Sequence, residues 1–519
     1  NRLLGLLPGV SGPGNDVTNT VQDLMKSQKP RLDAYKRWYS LLKLEDLLAQ
    51  KNMESFIGND PRTTWNMATY LLQPRPLVNQ VVSNDGLILP GEAQEVARLI
   101  EQYFTRLWQE IDLREANRGR QSWFWQFIGL MLVTGSYAVP YLVDADNGNF
   151  FVDFWNPASV FPELSDDPDE GLLRLGRVQV VSAERALRIV AREGWNNPGR
   201  LQGQVSIYHL WTVDSDKNIL HGVSIERQKV KPLAVIPGLV RIPVLVGFVG
   251  GLPDEGSIDR DYVANMGQSI LAVNESIYNN YNKQQTYLQQ LMRDTSNPRV
   301  VIHKQGNRSV VTPESWYSRG AFYELGPNES IDIVQMPPIP VELTQIQFNM
   351  RNMLQRGGFS DMTFGNVTTE ISSLLVSQAA ESDIQLLNPY YDAVRHMTTI
   401  VTNSWYQAML RMPVLRPKHI PPFPPELQNT KLVTNYRIHI PGDLQNRAFL
   451  IKHLNSGLEL PSEMLIQMLL PEVQNPAEAM AKLAGEKARR DPLFSLVHLM
   501  QAFEEAAERS RRVKDERSG

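Results

Sequence analysis

The stretch ILAVNESIYNNYNKQQTYLQQLM, residues 270–292, is the segment whose interpretation decides the fold. With the preceding YVANMGQS it forms 31 residues without a proline. Its only charged side chains are Glu275 and Lys283, whereas ten Asn and Gln lie between residues 262 and 292. The pattern predicts one long, neutral, amide-rich helix that spans roughly 46 Å at 1.5 Å per residue.

The apolar residues of this helix form one narrow stripe, because residues three and four apart share a helix face. The stripe consists of Met266, Ile270, Val273, Ile277, Tyr281, Leu288 and Leu291, with Gln284 interrupting it. A coiled-coil arm would need Glu/Lys pairs beside the stripe, and a core helix would need partners for ten amides. If identical copies stand side by side around a ring, each helix has a neighbour on both flanks. Neutral amides can then form hydrogen bonds across each interface, whereas a charged side chain would meet the same charge on the next copy. This third interpretation fits best.

The composition excludes several classes of site. The chain of 519 residues allows roughly three domains, and its net charge of −4 gives no overall field that attracts nucleic acid or an anionic membrane. With no cysteine, it has no disulfide, zinc–thiolate site or thiol nucleophile. We expect no cofactor.

Residues 123–143 are uncharged and long enough for a bilayer. Gly129, Gly135 and Pro140 interrupt them, and the second half is typical of a strand that enters an Asp-Asn-Gly turn. A buried helix that runs into a strand is therefore favoured over a membrane span. No signal peptide is visible at the start of the chain.

Motifs for catalysis are missing. GLPDEGS at 251–257 has the glycine spacing of a phosphate loop but no lysine, and no His pair has metal-ligand spacing. DSDKN at 214–218 favours a hairpin turn over a calcium loop, because Ile219 replaces the required glycine. An acidic loop with Asp166, Asp167 and Asp169 leaves a carboxylate–metal hydrolase as an alternative. We expect that the protein is not an enzyme.

The order of predicted elements indicates the α+β class rather than an alternating α/β enzyme. The first 20 residues are predicted to be irregular. Helices are predicted at 30–56, 61–81 (broken near Pro74 and Pro76), 91–112, 114–134, 183–193, 261–292, 341–356 and 370–411. Strands fill most of 137–251. Residues 413–425 contain six prolines and predict a stiff, extended linker.

Several segments also carry a family resemblance. They are RQSWFWQFIGLMLVTGSYAVPYLVDADNGNFFVDFWNPASVFP (120–162), RIPVLVGFVGG (241–251), the helix at 262–292 and PPIPVELTQIQFNMRNMLQRGGFSDMTFGN (337–366). Their order resembles the portal proteins of tailed bacteriophages over roughly residues 30–490. The resemblance implies a mainly helical α+β portal fold with a β-rich wing, a two-helix stem, a small α/β clip and a helical crown.

The resemblance also implies boundaries for these parts. They are an N-terminal arm (1–25), the wing (26–255), a stem helix (256–296), the clip (297–336), a second stem helix (337–356), a tunnel loop (357–369), a long wing helix (370–412), a proline-rich linker (413–429), and a crown with a helical tail (430–519).

The candidate site residues follow from these matched segments. Stem residues expected at the channel or between subunits are Asn274, Asn280, Lys283 and Gln284. Tunnel-loop and DNA-facing candidates are Arg351, Arg356, Gly357, Gly358, Ser360, Thr363, Asn366 and Thr368, where the glycines would make the loop pliable. Clip candidates for partner docking are Trp316, Tyr317, Arg319, Phe322 and Tyr323. The core of a small subdomain is the favoured interpretation of the clip aromatics. An ordinary helix–helix connection stays an alternative for the tunnel loop, and surface ion pairs are an equal alternative for the two arginines.

The implied function is a ring, usually of twelve copies, at one capsid vertex of the virion, assembled in the host bacterial cytoplasm. Double-stranded DNA would pass through it during packaging, retention and ejection. Its implied partners are the terminase large subunit, then head-completion (adaptor) and tail proteins, and the major capsid protein; no membrane is involved. The alternative is another virion head–tail adaptor or structural protein without a DNA channel.

Overall fold

The computed structural model describes residues 15–46, 55–74, 77–85, 89–144, 147–165, 167, 171–253, 262–296, 300–303, 330–333, 341–359 and 373–436. Helices combine with antiparallel sheets, so the fold is α+β as predicted. The helices are α1 (Asn15–Ser27), α2 (Lys29–Lys43), α3 (Asp60–Leu72), α4 (Gly91–Ala116), α5 (Trp123–Thr134), α6 (Ala183–Glu193), α7 (Tyr262–Asn265), α8 (Glu275–Ser296), α9 (Val341–Arg356) and α10 (Ser373–Arg411).

The strands form four antiparallel sheets within the described part of the chain. They are β1 (Val78–Ser83), β2 (Ser136–Asp144), β3 (Asn149–Val152), β4 (Val160–Leu164), β5 (Leu172–Ser182), β6 (Gln204–Val213), β7 (Ile219–Ile225), β8 (Gln228–Val235), β9 (Val244–Phe248), β10 (Val300–His303), β11 (Ser330–Ile333) and β12 (Thr430–Asn435). The sheet orders are β4-β5-β6-β7-β8, β3-β2-β9, β1-β12 and β10-β11.

The main core lies among α4, α5 and α10 and is rich in aromatic rings. Trp108 of α4 lies 5.5 Å from Trp405 of α10 and 5.8 Å from Trp123 of α5, measured between ring centroids. The Trp108 indole nitrogen donates to Thr402 Oγ1 at 2.8 Å, so its one polar atom is satisfied inside the core. These contacts join segments almost 300 residues apart in sequence.

The helix α5 and strand β2 account for the uncharged stretch 123–143, and most of it is buried against the core as expected, up to Pro140 of β2. Ser122 caps the start of α5, and Gly135 ends it in the left-handed conformation. None of the described helices is both long and apolar enough to cross a membrane.

The five-stranded sheet is covered by a helix that the sequence prediction missed. The first 20 residues are predicted to be irregular, but α1 begins at Asn15 and packs Val17, Val21 and Leu24 against Phe161 and Leu210 of the sheet. The i, i+4, i+7 spacing of these three residues is the signal that could have identified the helix.

Two other predicted helices are shorter than expected. The helix predicted at 30–56 ends at Lys43, because Leu44 adopts a left-handed conformation and returns hydrogen bonds to the last turn. The helix predicted at 61–81 ends at Leu72, just before the break expected near Pro74 and Pro76, and strand β1 follows in place of the predicted second part. Strand β1 pairs with β12, a partner about 350 residues away that local patterns cannot reveal.

The proline-rich segment 413–429 is not the extended spacer that its composition predicts. It forms two short 3₁₀ turns and buries Leu415, Ile420 and Leu427 in the main core. Strand β12 then packs against α10 and β1, so residues 430–436 belong to this core rather than to a separate crown. Burial of three large apolar side chains outweighs the preference of proline for extended chain.

A row of basic groups crosses the sheet from β6 to β8. Lys231 Nζ donates to His221 Nδ1 at 3.0 Å, and His221 Nε2 lies 3.4 Å from His209 Nδ1. Trp211 stacks on both imidazoles, at 4.4 Å from His221 and 5.6 Å from His209 between ring centroids. Burial and, to a smaller extent, the positive charge of Lys231 lower the pKa of His221 to about 3. Burial also holds the pKa of His209 well below its usual value, with smaller contributions from His221, Arg177 and Lys231.

We expect stability to fall as pH drops below about 6.5, the ordinary pKa of a histidine in an unfolded chain. Between that pH and the lowered folded-state pKa values, the unfolded chain binds more protons, so protonation favours unfolding. The measurement is the melting temperature from pH 7.5 to 4.5. His221→Gln should flatten the pH slope, whereas His396→Gln, at an exposed position of α10, should leave it as in the parent. Equal slopes in all three proteins would contradict this assignment.

Candidate functional site

The segment between α7 and α8 is built into a junction with α5 and β9. Gln268 N donates to Val249 O at 2.9 Å, and Ile270 N donates to Leu132 O at 3.0 Å. The predicted continuous helix at 262–292 is therefore wrong: α7 stops at Asn265, and α8 starts at Glu275 and continues to Ser296. The backbone donors of Gln268 and Ile270 bond to neighbouring segments, and those of Leu271 and Ala272 bond to Ser269 in a local turn. The 22 residues of α8 give it a length of roughly 33 Å.

Glycines allow the backbones at this junction to approach closely. A Cβ on Gly267 would lie 2.1 Å from Gly135 O, and one on Gly251 would lie 2.1 Å from Met266 O. Gly135 has φ +61°, and its carbonyl also accepts from Val249 N at 2.7 Å. Because no side chain fits between these backbones, the junction fixes the point at which α8 leaves the rest of the chain.

The long helix α10 is tied to the same junction. Tyr390 Oη donates to Gln268 O at 2.9 Å, and its ring is buried in the main core. Burial raises the pKa of this hydroxyl well above its usual value. The tyrosine therefore stays protonated and acts as a fixed donor.

The helices α8 and α9 lie side by side in opposite directions. Asn274 Nδ2, at the start of α8, donates to Leu354 O at 3.0 Å near the end of α9. A Cβ on Gly357 would lie only 2.3 Å from Asn274 Oδ1. The start of α8 and the end of α9 are thus in direct contact, and we call this pair the helix hairpin.

The N-terminal half of the chain anchors the first turn of α8. Glu275 accepts from Arg37 Nε at 2.9 Å and from Trp38 Nε1 at 3.0 Å. A carboxylate in a first turn also interacts favourably with the helix dipole. Glu275 is the one acidic residue between 262 and 292. Because acidic residues are enriched in the first turn of helices, it was the sequence signal that could have predicted a helix start at residue 275.

Residues 55–58 run along one side of α8, and we call them the strap. Phe56 N donates to Thr286 Oγ1 at 3.0 Å, and Gly58 N donates to Asn282 Oδ1 at 2.9 Å. Sequence reasoning missed the strap because its hydrogen bonds join residues more than 220 positions apart. Asn282 and Thr286 thus hold a neighbouring segment of the same chain.

A cleft of about 560 Å³ lies between the strap, α3 and the hairpin. Its walls include Phe56, Asp60, Tyr281, Arg351 and Phe359. The rings of Phe56 and Tyr281 meet edge to face at 6.2 Å. The cleft combines aromatic surface with one acid and one arginine.

The four predicted stem residues occupy different environments. Asn280 and Lys283 are exposed, and Lys283 Nζ lies 5.9 Å from the centre of the Tyr287 ring. Asn274 is 1% exposed and bonds within the chain, so it differs from the expected channel or subunit position. Gln284 is partly buried, and its Oε1 is enclosed without a hydrogen-bond partner among the described residues.

Gln347 of α9 has a similar environment to Gln284, because its Nε2 is enclosed and unpaired within the described structure. Gln284 lies ten residues after Asn274, and Gln347 lies ten residues before Gly357. Since Asn274 and Gly357 are in contact and the helices are antiparallel, the two glutamines lie at the same level of the seam. They add two polar side chains to the seam, beside Asn274 at its base.

The tunnel-loop candidates are only partly described. Arg351 and Arg356 are exposed on α9, and Gly357 and Gly358 end that helix with backbone hydrogen bonds to Met353 and Gln355. Gly357 was expected to make the loop pliable, but its contact with Asn274 shows a packing role. Ser360, Thr363, Asn366 and Thr368 lie outside the described residues.

The predicted clip is represented by one antiparallel pair of strands. Strand β10 pairs with β11 from Val300↔Ile333 to His303↔Ser330, in the connection between α8 and α9. The candidates Trp316, Tyr317, Arg319, Phe322 and Tyr323 lie outside the described residues.

The described residues contain no cluster of three or more His, Asp or Glu that could hold a metal ion. Asp214 accepts from the backbone nitrogens of Asp216 and Asn218 at 2.9 and 2.8 Å, which is the predicted turn. These hydrogen bonds lower the pKa of Asp214. Of the predicted acidic loop, Asp167 is described, whereas Asp166 and Asp169 are not.

Comparison with known proteins gives distant structural similarities. No family model matches the chain, and no curated protein matches it. A chain in the neck of an empty GTA particle, computed with C6 symmetry, is similar with a TM-score of 0.40 and 11% identity, over 79% of this chain and 90% of that one. A chain in the neck of a native GTA particle, computed with C12 symmetry, is similar with a TM-score of 0.38 and 11% identity, over 79% and 89%. No functional conclusion is taken from similarities of this size.

Proposed function

We propose that the chain is the subunit of a ring-shaped portal, a structural protein through which double-stranded DNA passes at one vertex of a phage capsid. The observation that carries the proposal is the helix hairpin. A glycine junction holds its base, a two-stranded sheet lies in the connection at its other end, and its first helix, α8, is rich in amides and has a single charged residue between Glu275 and Arg293. The resemblance of the sequence to tailed-phage portal proteins supports the same assignment.

The chemistry of the hairpin suits a passive channel. Phosphate affinity comes mainly from Lys and Arg, and Lys283 is the one charged residue of α8 between Glu275 and Arg293. This part of α8 would let a polyanion move past without holding it, and phosphate contacts would fall to the exposed Arg351 and Arg356 of α9. Under this proposal the partners are further copies of the chain, DNA, a terminase large subunit, head-completion and tail proteins, and the major capsid protein. The protein would then reside in the virion and have no enzymatic activity of its own.

Imaging of the purified full-length chain tests the proposal. We expect rings of about twelve 59.0-kDa chains with an open axial channel, seen by negative-stain microscopy and sedimentation velocity. A strictly monomeric protein at every concentration would exclude a portal. A ring with a closed axis would favour an adaptor without a DNA channel.

Substitution of Asn280 by glutamate gives a sharper prediction. Asn280 is exposed on α8, so one added carboxylate per copy would repeat around the ring and repel its own copies. We expect half-assembly to need a roughly tenfold higher protein concentration, equivalent to about 1.4 kcal/mol per contact. Sedimentation velocity measures the change, and salt near 1 M should restore assembly by screening.

Two controls accompany this variant. Asn280→Gln keeps the amide, and Asn196→Glu adds the same charge at an exposed position after α6. Both should assemble like the parent. If Asn280→Glu also assembles like the parent at low salt, Asn280 faces neither a neighbour nor the channel.

A further inference from the structure

The helix hairpin has two unlike flanks. At 100° per residue, Asn280, Lys283 and Tyr287 of α8 lie on one side of its seam with α9, and Ile346 and Met353 of α9 lie on the same side. We call these five residues the open flank. Tyr287, Ile346 and Met353 are 48%, 42% and 51% exposed. Large apolar side chains that share an exposed face are typical of an interaction surface.

The opposite flank is concave. There the strap and α3 project beside α8, and the cleft opens between them and Arg351. Phe56, Tyr278 and Tyr281 give it aromatic walls, and Asp60 gives it a carboxylate. One hairpin therefore carries a ridge with apolar side chains on one side and an aromatic cleft on the other.

We propose that the open flank of one copy docks into the cleft flank of the next copy, so that the subunits contact each other head to tail around the ring. This inference rests on the proposed function, because it assigns the two contact surfaces of that ring. Different surfaces on opposite sides of one subunit produce a heterologous contact, which closes into a cycle when the rotation between copies allows it. An isologous dimer would instead use the same surface twice.

Charge and chemistry favour a second copy of this chain as the occupant. Lys283 is the one charged side chain among the five open-flank residues, and the cleft is lined by the carboxylate of Asp60 and the guanidinium of Arg351. Lys283 of one copy can therefore approach Asp60 of the next, while the neutral Asn280 avoids repulsion. Tyr287, Ile346 and Met353 match the aromatic walls of the cleft.

The absence of cysteine from the sequence makes a direct test possible. Met353→Cys labels the open flank, and Asn59→Cys labels the cleft, where Asn59 is exposed and makes no side-chain capping hydrogen bond. The double variant is treated with a short bis-maleimide and separated on a denaturing gel. We expect a ladder of covalent oligomers that ends at the size of the ring.

Single variants give the matched controls. Each alone should remain monomeric on the gel, and a mixture of the two assembled together should stop at dimers. Met353→Cys combined with Asn196→Cys should give no ladder. If the Met353 substitution impairs assembly, Asn280→Cys replaces it on the same flank, with the same pattern expected.

The outcomes separate this inference from the proposed function. Covalent dimers from Met353→Cys alone would show like flanks in contact and overturn the inference. Rings that form normally but give no ladder with either open-flank cysteine would overturn it as well, while leaving the ring proposal intact. A chain that forms no rings at all overturns the proposed function and the inference together.

Discussion

Replacing Gly267 with alanine is expected to destabilise the protein by about 3 kcal/mol, the upper part of the range for an overfilled site. The added Cβ would lie 2.1 Å from the carbonyl oxygen of Gly135, which is backbone and cannot rotate away. Gly135 is itself held in a left-handed turn between α5 and β2. Relief of the overlap requires the segment before α8 to move off β9.

Two measurements follow this change. The apparent melting temperature should fall by several degrees, and the amide protons of Val249, Gln268 and Ile270 should exchange faster, because their hydrogen bonds build the junction. Gly91→Ala is the matched control, since a Cβ there meets nothing within 4 Å and the residue starts α4. Unchanged exchange at the three amides in Gly267→Ala would contradict the close packing of the junction.

Replacing Gly357 with alanine is expected to separate the two ends of the helix hairpin. The added Cβ would lie 2.3 Å from Asn274 Oδ1 and 2.8 Å from its Cγ. Asn274 is buried and donates to Leu354 O, so it cannot move without losing that hydrogen bond. We expect a loss of about 2 kcal/mol, which combines overpacking with an unpaired buried carbonyl.

A double-mutant cycle checks the cause. Asn274→Ala alone should destabilise the protein by about 1 kcal/mol, because a hydrogen bond is lost. The pair Gly357→Ala with Asn274→Ala should cost less than the two single changes together, because the clash needs both side chains. Strict additivity in thermal or chemical unfolding would exclude direct contact as the reason for the glycine.

The two variants also separate the base of the hairpin from its assembly surface. Neither residue lies on the open flank, and Asn274 is enclosed within the chain. Under the head-to-tail inference, a reduced ring population in Gly357→Ala would come from a displaced hairpin. The second change at Asn274 removes the clash, so the double variant should form more rings than Gly357→Ala alone.

Several elements were predictable because their signals are local. The helix predicted at 183–193 is found as α6, where Ser182 Oγ accepts from Arg185 N and Gly194 ends the helix in a left-handed conformation. The helix predicted at 341–356 is found as α9 with the same bounds. Apolar periodicity and capping residues lie within or directly beside the helix that they indicate, so the sequence of that segment alone is enough to predict it.

Other elements were not predictable because their partners are remote. Nothing near Val78 indicates a strand that pairs with Asn435, and nothing near Phe56 indicates a hydrogen bond to Thr286. The proline-rich segment has the composition of a spacer, yet its buried leucines and isoleucine decide its conformation. Tertiary contacts override local preference wherever they bury enough apolar surface.

The sequence by itself determined the neutral, amide-rich character of α8 and its narrow apolar stripe, because side-chain chemistry and helix spacing need no partner. Only the tertiary structure decided where that helix begins. Residues 266–274 have no proline to stop a helix, but Val249 accepts from the N–H of Gln268 and Leu132 accepts from that of Ile270, and glycines at 135, 251 and 267 allow the backbones to meet. Because an N–H that bonds to a neighbouring segment is not available to an intrahelical acceptor, these tertiary contacts keep the stretch out of the helix.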